Sequence, residues 1–277
     1  MHARRMATRP DELRYAVVTS HERGPASLFV QMLGSTVPRP ITMPTVLLCH
    51  GARPDRPASH RLVRRLRKIR RVGPLGALNG VRMRSWYGSA VSDALGIADI
   101  RRLCADNDMR LMEISGFWDN DAQRTLAELD ASFAISLGNG FIPEAFFRLP
   151  RNGMINVHHE LLPEYRGAQT ALWQIHDGSA VTGYSVHEVS ARIDAGRVLL
   201  REEMPILFQS SLRDTIVQTA CAVQKRSIER LFDVILDFDR YRSLAPSAST
   251  GALYTTPSAR AMLRIYRNHM KLRRALA

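Results

Sequence analysis

Short apolar runs separated by polar, turn-rich stretches recur along this chain. Tyr15-Ala-Val-Val-Thr19 and Thr45-Val-Leu-Leu-Cys49 are β-branched and too short for helices, so they predict buried strands. His21-Glu-Arg-Gly24 turns the first into a helix over Pro25 to Leu33, and a Pro-rich passage at Pro38, Pro40 and Pro44 precedes the second strand. Arg110–Ile114, Ala131–Leu137 and Met154–His158 predict three further strands. Helices are expected over Val91–Asp106 and from a cap at Asp119 or Asn120 to Leu129. After the turn Gly138-Asn-Gly140, Phe141-Ile-Pro143 leads into a short helix ending at Phe147.

Further along, a helix over Ala168–Asp177 has Trp173 on its buried side and Gly178 as its stop. Gly183–Val189 alternates as a strand does, Val198–Met204 is another strand, and the loop Ser190–Arg197 lies between them. Gln209–Phe238 is a long amphipathic helix. Asp239–Leu253 is polar, and Thr255-Thr-Pro257 precedes a basic helix. Strands alternating with helices predict an α/β fold: an open, mostly parallel, twisted sheet flanked by helices, with a helical C-terminal extension. The division expected is a flexible N-terminus over 1–13, one domain over 14–238, and an extension with a basic helix over 239–277.

Charge changes this picture at one place. The chain of 277 residues is 45% hydrophobic and 23% charged, as an ordinary globular protein is, yet its net charge is +13. Seven of the cations fall between Arg61 and Arg71, with Leu62, Leu66 and Ile69 at helical spacing and no acid among them. That pattern predicts a basic amphipathic helix and an anionic partner: a phosphate, a lipid headgroup or an acidic protein. Gly73–Gly80 follows as a turn-rich connector without a phosphate-loop motif. Arg82, Arg84, Trp86 and Tyr87 then interleave basic and aromatic residues. Cys49, Cys104 and Cys221 are far apart, so buried thiols are expected rather than a metal site or disulfides. No run of eighteen apolar residues is present and the basic start lacks an apolar segment, so the expected location is cytoplasmic.

The candidate chemistry lies between Gly153 and Gly196. Asn156 and His158, two apart on a strand, share one face at its C-terminal end, where open α/β sheets bind ligands. An amide can donate to an oxyanion, an imidazole can move a proton near neutrality, and Asp194 can orient the imidazole. The motifs Asn156-Val-His158, Leu161-Leu-Pro-Glu-Tyr-Arg-Gly167, Gly183-Tyr-Ser-Val-His187 and Asp194-Ala-Gly196 resemble, in order and spacing, those of the 10-formyltetrahydrofolate-dependent formyltransferases. That family includes glycinamide ribonucleotide, methionyl-tRNA and sugar-nucleotide formyltransferases. The resemblance is strong over about 131–200. His159, Glu160 and Ser185 depart from the pattern, which commonly has Pro or Asn, Ser and Thr there.

The resemblance implies a Rossmann-like formyltransferase fold and a catalytic trio of Asn156, His158 and Asp194. It implies a pteridine held by Gly138, Asn139, Gly140, Phe141 and Ile142. The formyl donor would be 10-formyltetrahydrofolate, with no metal, and the acceptor a primary amine. Glu160, Arg166 and His187 are assigned to the acceptor side, Arg166 on a phosphate; His159, His176 and Tyr165 are weaker candidates. Leu161-Leu-Pro163 reads as a structural turn. About eighty residues follow Asp194, too few for the barrel of the methionyl-tRNA enzymes, and Thr19–Gly24 is a poor phosphate loop. The expected acceptor is therefore a small phosphorylated amine such as an amino-sugar nucleotide rather than a nucleic acid. Peripheral contact with an anionic membrane and a homodimer are open alternatives for partners. A nucleic-acid-binding protein on a degenerate fold and a formyl hydrolase are the alternative functions.

Overall fold

The computed structural model describes residues 14–36, 43–51, 58–167, 169–245 and 251–276; the lead-in 1–13, Pro38 and Pro40 lie outside them. The chain begins with β1 (Tyr15–Thr19), α1 (Pro25–Thr36), β2 (Thr45–Gly51) and α2 (Ala58–Ser85). A π-helical turn (Trp86–Ala90) leads to α3 (Val91–Ala94), α4 (Ile100–Asp106), β3 (Leu111–Gly116), α5 (Asn120–Glu128), β4 (Phe133–Ser136) and α6 (Glu144–Phe147). Then come β5 (Met154–His158), β6 (Tyr165–Arg166), α7 (Leu172–Asp177), β7 (Val181–Glu188) and β8 (Val198–Pro205). The chain closes with α8 (Leu212–Leu236), α9 (Phe238–Leu244), β9 (Ala252–Leu253) and α10 (Ala259–Leu276).

Seven strands form one sheet in the order β3-β2-β1-β4-β5-β7-β8. The first five run parallel; β7 and β8 are antiparallel to their neighbours. The expected open, mostly parallel sheet is thus present, with an antiparallel edge. Side chains alternate across it as a period of two demands. Tyr15, Val17, Phe133 and Ile135 pack with α1 and α8, while Ala16, Val18 and Ala134 pack with α5 and α6. Phe133 stacks between Tyr15 at 5.8 Å and Phe238 at 4.4 Å, tying the central strands β1 and β4 to α9. The three cysteines are buried free thiols.

Several expected elements differ. Gly73–Gly80 is not a connector: it lies inside α2, which is interrupted only at Gly73 (φ 76, ψ 166). The helix expected over Val91–Asp106 is two, broken at Gly96 (φ 60); the second is capped by the Asp99 carboxylate, which accepts from the Arg101 N–H at 2.8 Å. Helix α7 starts at Leu172 rather than Ala168. Trp173 is half-buried rather than core, with Nε1 donating to the Thr255 carbonyl at 3.1 Å. In the C-terminal part, the described residues pack back on the sheet-bearing part. β9 pairs with β6, and Met262 and Ile265 of α10 join Ile175, Ile216 and Ala220 in one buried cluster. Among the described residues no helix is long and apolar enough to cross a membrane.

Candidate active site

The order of the sheet reverses between β1 and β4, and the crevice outside such a switch point is where an α/β sheet binds ligands. Here a cleft of about 440 Å³ opens at the C-terminal ends of β4 and β5. Gly138, Asn139, Gly140, Phe141 and Ile142 line it beside Asn156, His158, His187 and Asp194. The turn after β4 is held rigidly. The Asn139 amide donates to the Val18 carbonyl at 2.7 Å and to Ser136 Oγ at 3.0 Å, and its oxygen accepts from Ser20 Oγ at 2.8 Å. Gly138 has φ +78, and a Cβ there would meet the His21 side chain at 2.9 Å, so the backbone conformation and the close approach to the segment after β1 both favour glycine. Phe141 stacks on Trp118 with centroids 6.4 Å apart, an aromatic wall at the rim.

Asn156 and His187 are direct cross-strand partners in the β5–β7 register. That pairing sets their chemistry. His187 Nδ1 lies 2.9 Å from the Glu188 carbonyl, which can only accept, so the ring proton sits on Nδ1. Nε2 is then an acceptor, and it meets Asn156 Nδ2 at 3.1 Å. Burial pushes the His187 imidazole down to about 4, against the opposing pull of the Asp194 carboxylate, so the ring is neutral near pH 7. One N–H of Asn156 is thereby anchored and the other is free for the cleft.

His158 is arranged the opposite way. Its Nε2 donates to the Tyr165 carbonyl at 3.0 Å, and Nδ1 faces Asp194 Oδ2 at 3.7 Å. Nδ1 is therefore the nitrogen left to gain or lose a proton. The Asp194 carboxylate stands between the two imidazoles, with Oδ1 3.8 Å from His187 Nε2. It is fixed by the Gly167 N–H, which donates to Oδ2 at 2.8 Å, and by a left-handed backbone at φ 46.

The loop carrying Asp194 is gripped from three sides. Arg166 donates from Nε and Nη2 to the Ile193 carbonyl at 2.9 and 2.6 Å, and from Nη1 to the Gly251 carbonyl at 3.4 Å. At the base, Arg197 makes a two-point pair with Glu188 at 2.7 and 3.0 Å, and Arg242 reaches the same carboxylate at 3.1 Å. Burial alone would raise the Glu188 carboxyl; these guanidinia overrule it and hold it below its usual range. Gly196 passes so close to β7 that a Cβ would lie 1.7 Å from the Glu188 carbonyl oxygen.

The residues expected on the acceptor side separate here. His187 lines the cleft. Arg166 is spent on backbone carbonyls, not on an open phosphate position. Glu160 is 0% exposed and lies behind the cleft, where Gln174 Nε2 and Thr182 Oγ1 donate to it; it faces neither solvent nor the open cavity. Burial raises its carboxyl well above the usual range. Ser185, its neighbour, holds the Leu161–Pro163 turn by donating to the Glu160 carbonyl and accepting from the Leu162 N–H, each at 3.0 Å. His159 also lines the cleft; burial lowers its imidazole to about 4, and its Nε2 is buried without a partner. His176 and Tyr165 bond Asp177 at 2.7 and 3.4 Å.

Sequence reasoning missed Arg192 as a cleft residue, whereas Tyr87, which also lines the cleft, belongs to the basic and aromatic stretch it singled out. Arg192 is exposed and has no ion pair among the described residues, and Tyr87 donates to the Thr170 carbonyl at 2.7 Å. The signal for Arg192 was available: a cation two positions before Asp194 in the same loop. Tyr87 lies far along the chain from the motif, and its interleaved basic and aromatic neighbours were its signal. No group of three or more His, Cys, Asp or Glu placed to hold a metal occurs among the described residues.

The family model described as "Formyl transferase" matches residues 99–231. The methionyl-tRNA formyltransferase of Chromohalobacter salexigens is 34% identical over 108 residues, 39% of this chain and 33% of that protein. The GDP-perosamine N-formyltransferase of Brucella melitensis is 33% identical over 115 residues, 41% of this chain and 43% of that one. These matches span well under half the length of the curated relatives. An N-formyltransferase from Helicobacter canadensis, solved with folinic acid and dTDP-3-aminofucose, shares the fold with a TM-score of 0.52 at 10% identity; the superposition covers 90% of this chain and 72% of that one.

Proposed function

Because the chain belongs to the formyltransferase superfamily, we propose that it transfers a formyl group from 10-formyltetrahydrofolate to a primary amine of a small biosynthetic acceptor, an amino-sugar nucleotide in particular. The observation that carries this reading is the convergence of an anchored amide, a proton-accepting imidazole and a carboxylate at one end of a cleft, beside a rigid glycine turn with an aromatic rim. Residues 138–142 would hold the flat ring system of the folate. The pinned Asn139 keeps their backbone still, and Ile142 and Phe141 offer apolar walls. When bound, the folate supplies an activated formyl carbon.

The reaction joins the acceptor nitrogen to that carbon and releases N10, and one proton passes from the amine to N10. Asn156 aims its unanchored N–H at the formyl oxygen, where negative charge develops. A preorganised donor of this kind is worth roughly 2.7–4 kcal/mol of barrier. His158 Nδ1 accepts or returns the moving proton, and Asp194 favours the charged ring while it does so. His187 stays neutral and keeps the amide turned the right way. Within the acceptor class, the free guanidinium of Arg192 at the cleft supports a phosphate-bearing molecule, the part first expected of Arg166.

Incubation with 10-formyltetrahydrofolate and a panel of amino-sugar nucleotides, read by mass for a gain of one formyl group, tests the proposal. His158→Ala and Asp194→Ala are each expected to abolish transfer in folded protein. Full activity in either variant would overturn the assignment of roles. Formate release without any formylated amine would indicate a hydrolase instead.

A further inference from the structure

Helix α2 carries nine Lys or Arg and no Asp or Glu in its 28 residues. Its described side chains show a second regularity. Val63, Leu66 and Ile69 are 44%, 56% and 40% exposed, and Leu75, Leu78 and Val81 are 64%, 61% and 55% exposed. Arg70 directly follows the first triplet and Arg82 the second, and both are exposed. The same apolar-then-cationic order thus recurs twelve positions along. Residues three apart are neighbours on a helix surface, so each triplet is a continuous apolar ridge. These ridges are not the face folded onto the protein: among the described residues, Val72, Gly76, Met83 and the following Trp86 are buried. The break at Gly73 frees the second ridge from the phase of the first.

We propose that α2 is an interfacial helix that docks the protein on an anionic lipid surface, its two ridges entering the headgroup–acyl boundary and its cations meeting lipid phosphates. A strongly basic helix with an exposed apolar stripe is what such a surface binds. Charge complementarity decides among occupants. A second copy would bring nine cations against nine with no acid between them. A nucleic acid would use the cations and leave six large apolar side chains in water. An anionic bilayer accounts for both. Val81 lies six residues before Tyr87, which lines the cleft, so docking would hold the cleft beside the membrane.

Lipid binding is independent of formyl transfer and is tested without substrate. The full chain is sedimented with vesicles of pure phosphatidylcholine and with vesicles of an equal mixture of phosphatidylcholine and phosphatidylglycerol. Binding to the mixed vesicles alone is expected, falling steeply with salt. Leu66→Asp/Leu78→Asp should abolish it with thermal unfolding unchanged. Arg70→Gln/Arg84→Gln should weaken it about 25-fold, at about fivefold per interfacial cation. Equal binding to neutral vesicles, no binding to either, or undiminished binding by the aspartate variant would overturn the proposal. So would self-association in the absence of lipid that the aspartate variant loses, or RNA binding without vesicle binding.

Discussion

His187→Phe removes the acceptor that orients Asn156 while keeping a ring of similar size in a site only 2% exposed. In the native arrangement the amide is held by one bond of 3.1 Å to Nε2, and Nε2 is an acceptor because Nδ1 is committed to the Glu188 carbonyl. Losing that neutral hydrogen bond leaves the Asn156 side chain free to rotate its oxygen toward the cleft, where it would repel a developing oxyanion. A donor on an oxyanion is worth roughly 2.7–4 kcal/mol, about a hundred- to a thousandfold in kcat, which bounds Asn156→Ala. A net hydrogen bond contributes about 1 kcal/mol. His187→Phe should therefore lower kcat between about fivefold and about a hundredfold, leaving folate binding unchanged. Single-turnover formyl transfer at saturating donor measures it. In the Asn156→Ala background the same change should add nothing beyond about 0.5 kcal/mol, because there is no amide left to orient. Wild-type kcat in His187→Phe, or a full second loss in the double variant, refutes the orienting role.

Other expectations follow from the same neighbourhood. Arg166→Ala removes the grip on the Ile193 carbonyl, so kcat should fall at least about tenfold, as loss of a charge-assisted bond of roughly 1.5–3 kcal/mol implies. Arg166→Lys should restore part of it, and a raised KM for the acceptor at unchanged kcat would return Arg166 to phosphate binding. Burial holds the His187 imidazole near 4, whereas in the unfolded chain it titrates near its ordinary value of about 6.5. The unfolded state therefore takes up the proton first. The contribution to stability is intact above about pH 6.5 and is lost toward pH 4, by up to about 3 kcal/mol. Urea midpoints at pH 7 and pH 4.5 should differ less in His187→Phe than in wild type; an equal difference contradicts this. Burial raises the Glu160 carboxyl; Gln, which keeps an acceptor for Gln174 without a charge, should change stability by less than about 1 kcal/mol, whereas Ala strands Gln174 and costs about 1–3 kcal/mol. Equal damage from both substitutions, read by thermal unfolding, would mean that the charge is used.

Much of the architecture was legible because its signals are local. The runs Tyr15–Thr19 and Met154–His158 are strands with the bounds their patterns predict, since short β-branched segments have few other ways to be buried. Gly73–Gly80 misled for the same reason. Glycine and proline lower helix propensity locally, but Val72 and Met83 gain more by packing, and only Gly73 leaves the helix. Trp173 was expected in the core because its periodicity cannot show that its partners are Tyr254 and Thr255, in the distant segment after β9.

The sequence by itself determined which chemistry is present: the β5 ending that presents Asn156 and His158, the glycine turn after β4, and the loop with Asp194. Tertiary structure decided what each group does. His187 becomes the orienter of Asn156 through cross-strand register, and a one-residue slip would turn it away. Arg166 becomes a clamp because Ile193 and Gly251 present carbonyls to it, and Glu160 becomes a buried acid because α7 and β7 close over it. A side chain's type is written locally, but its protonation and its partners depend on what packs against it, and that is set by residues far away along the chain.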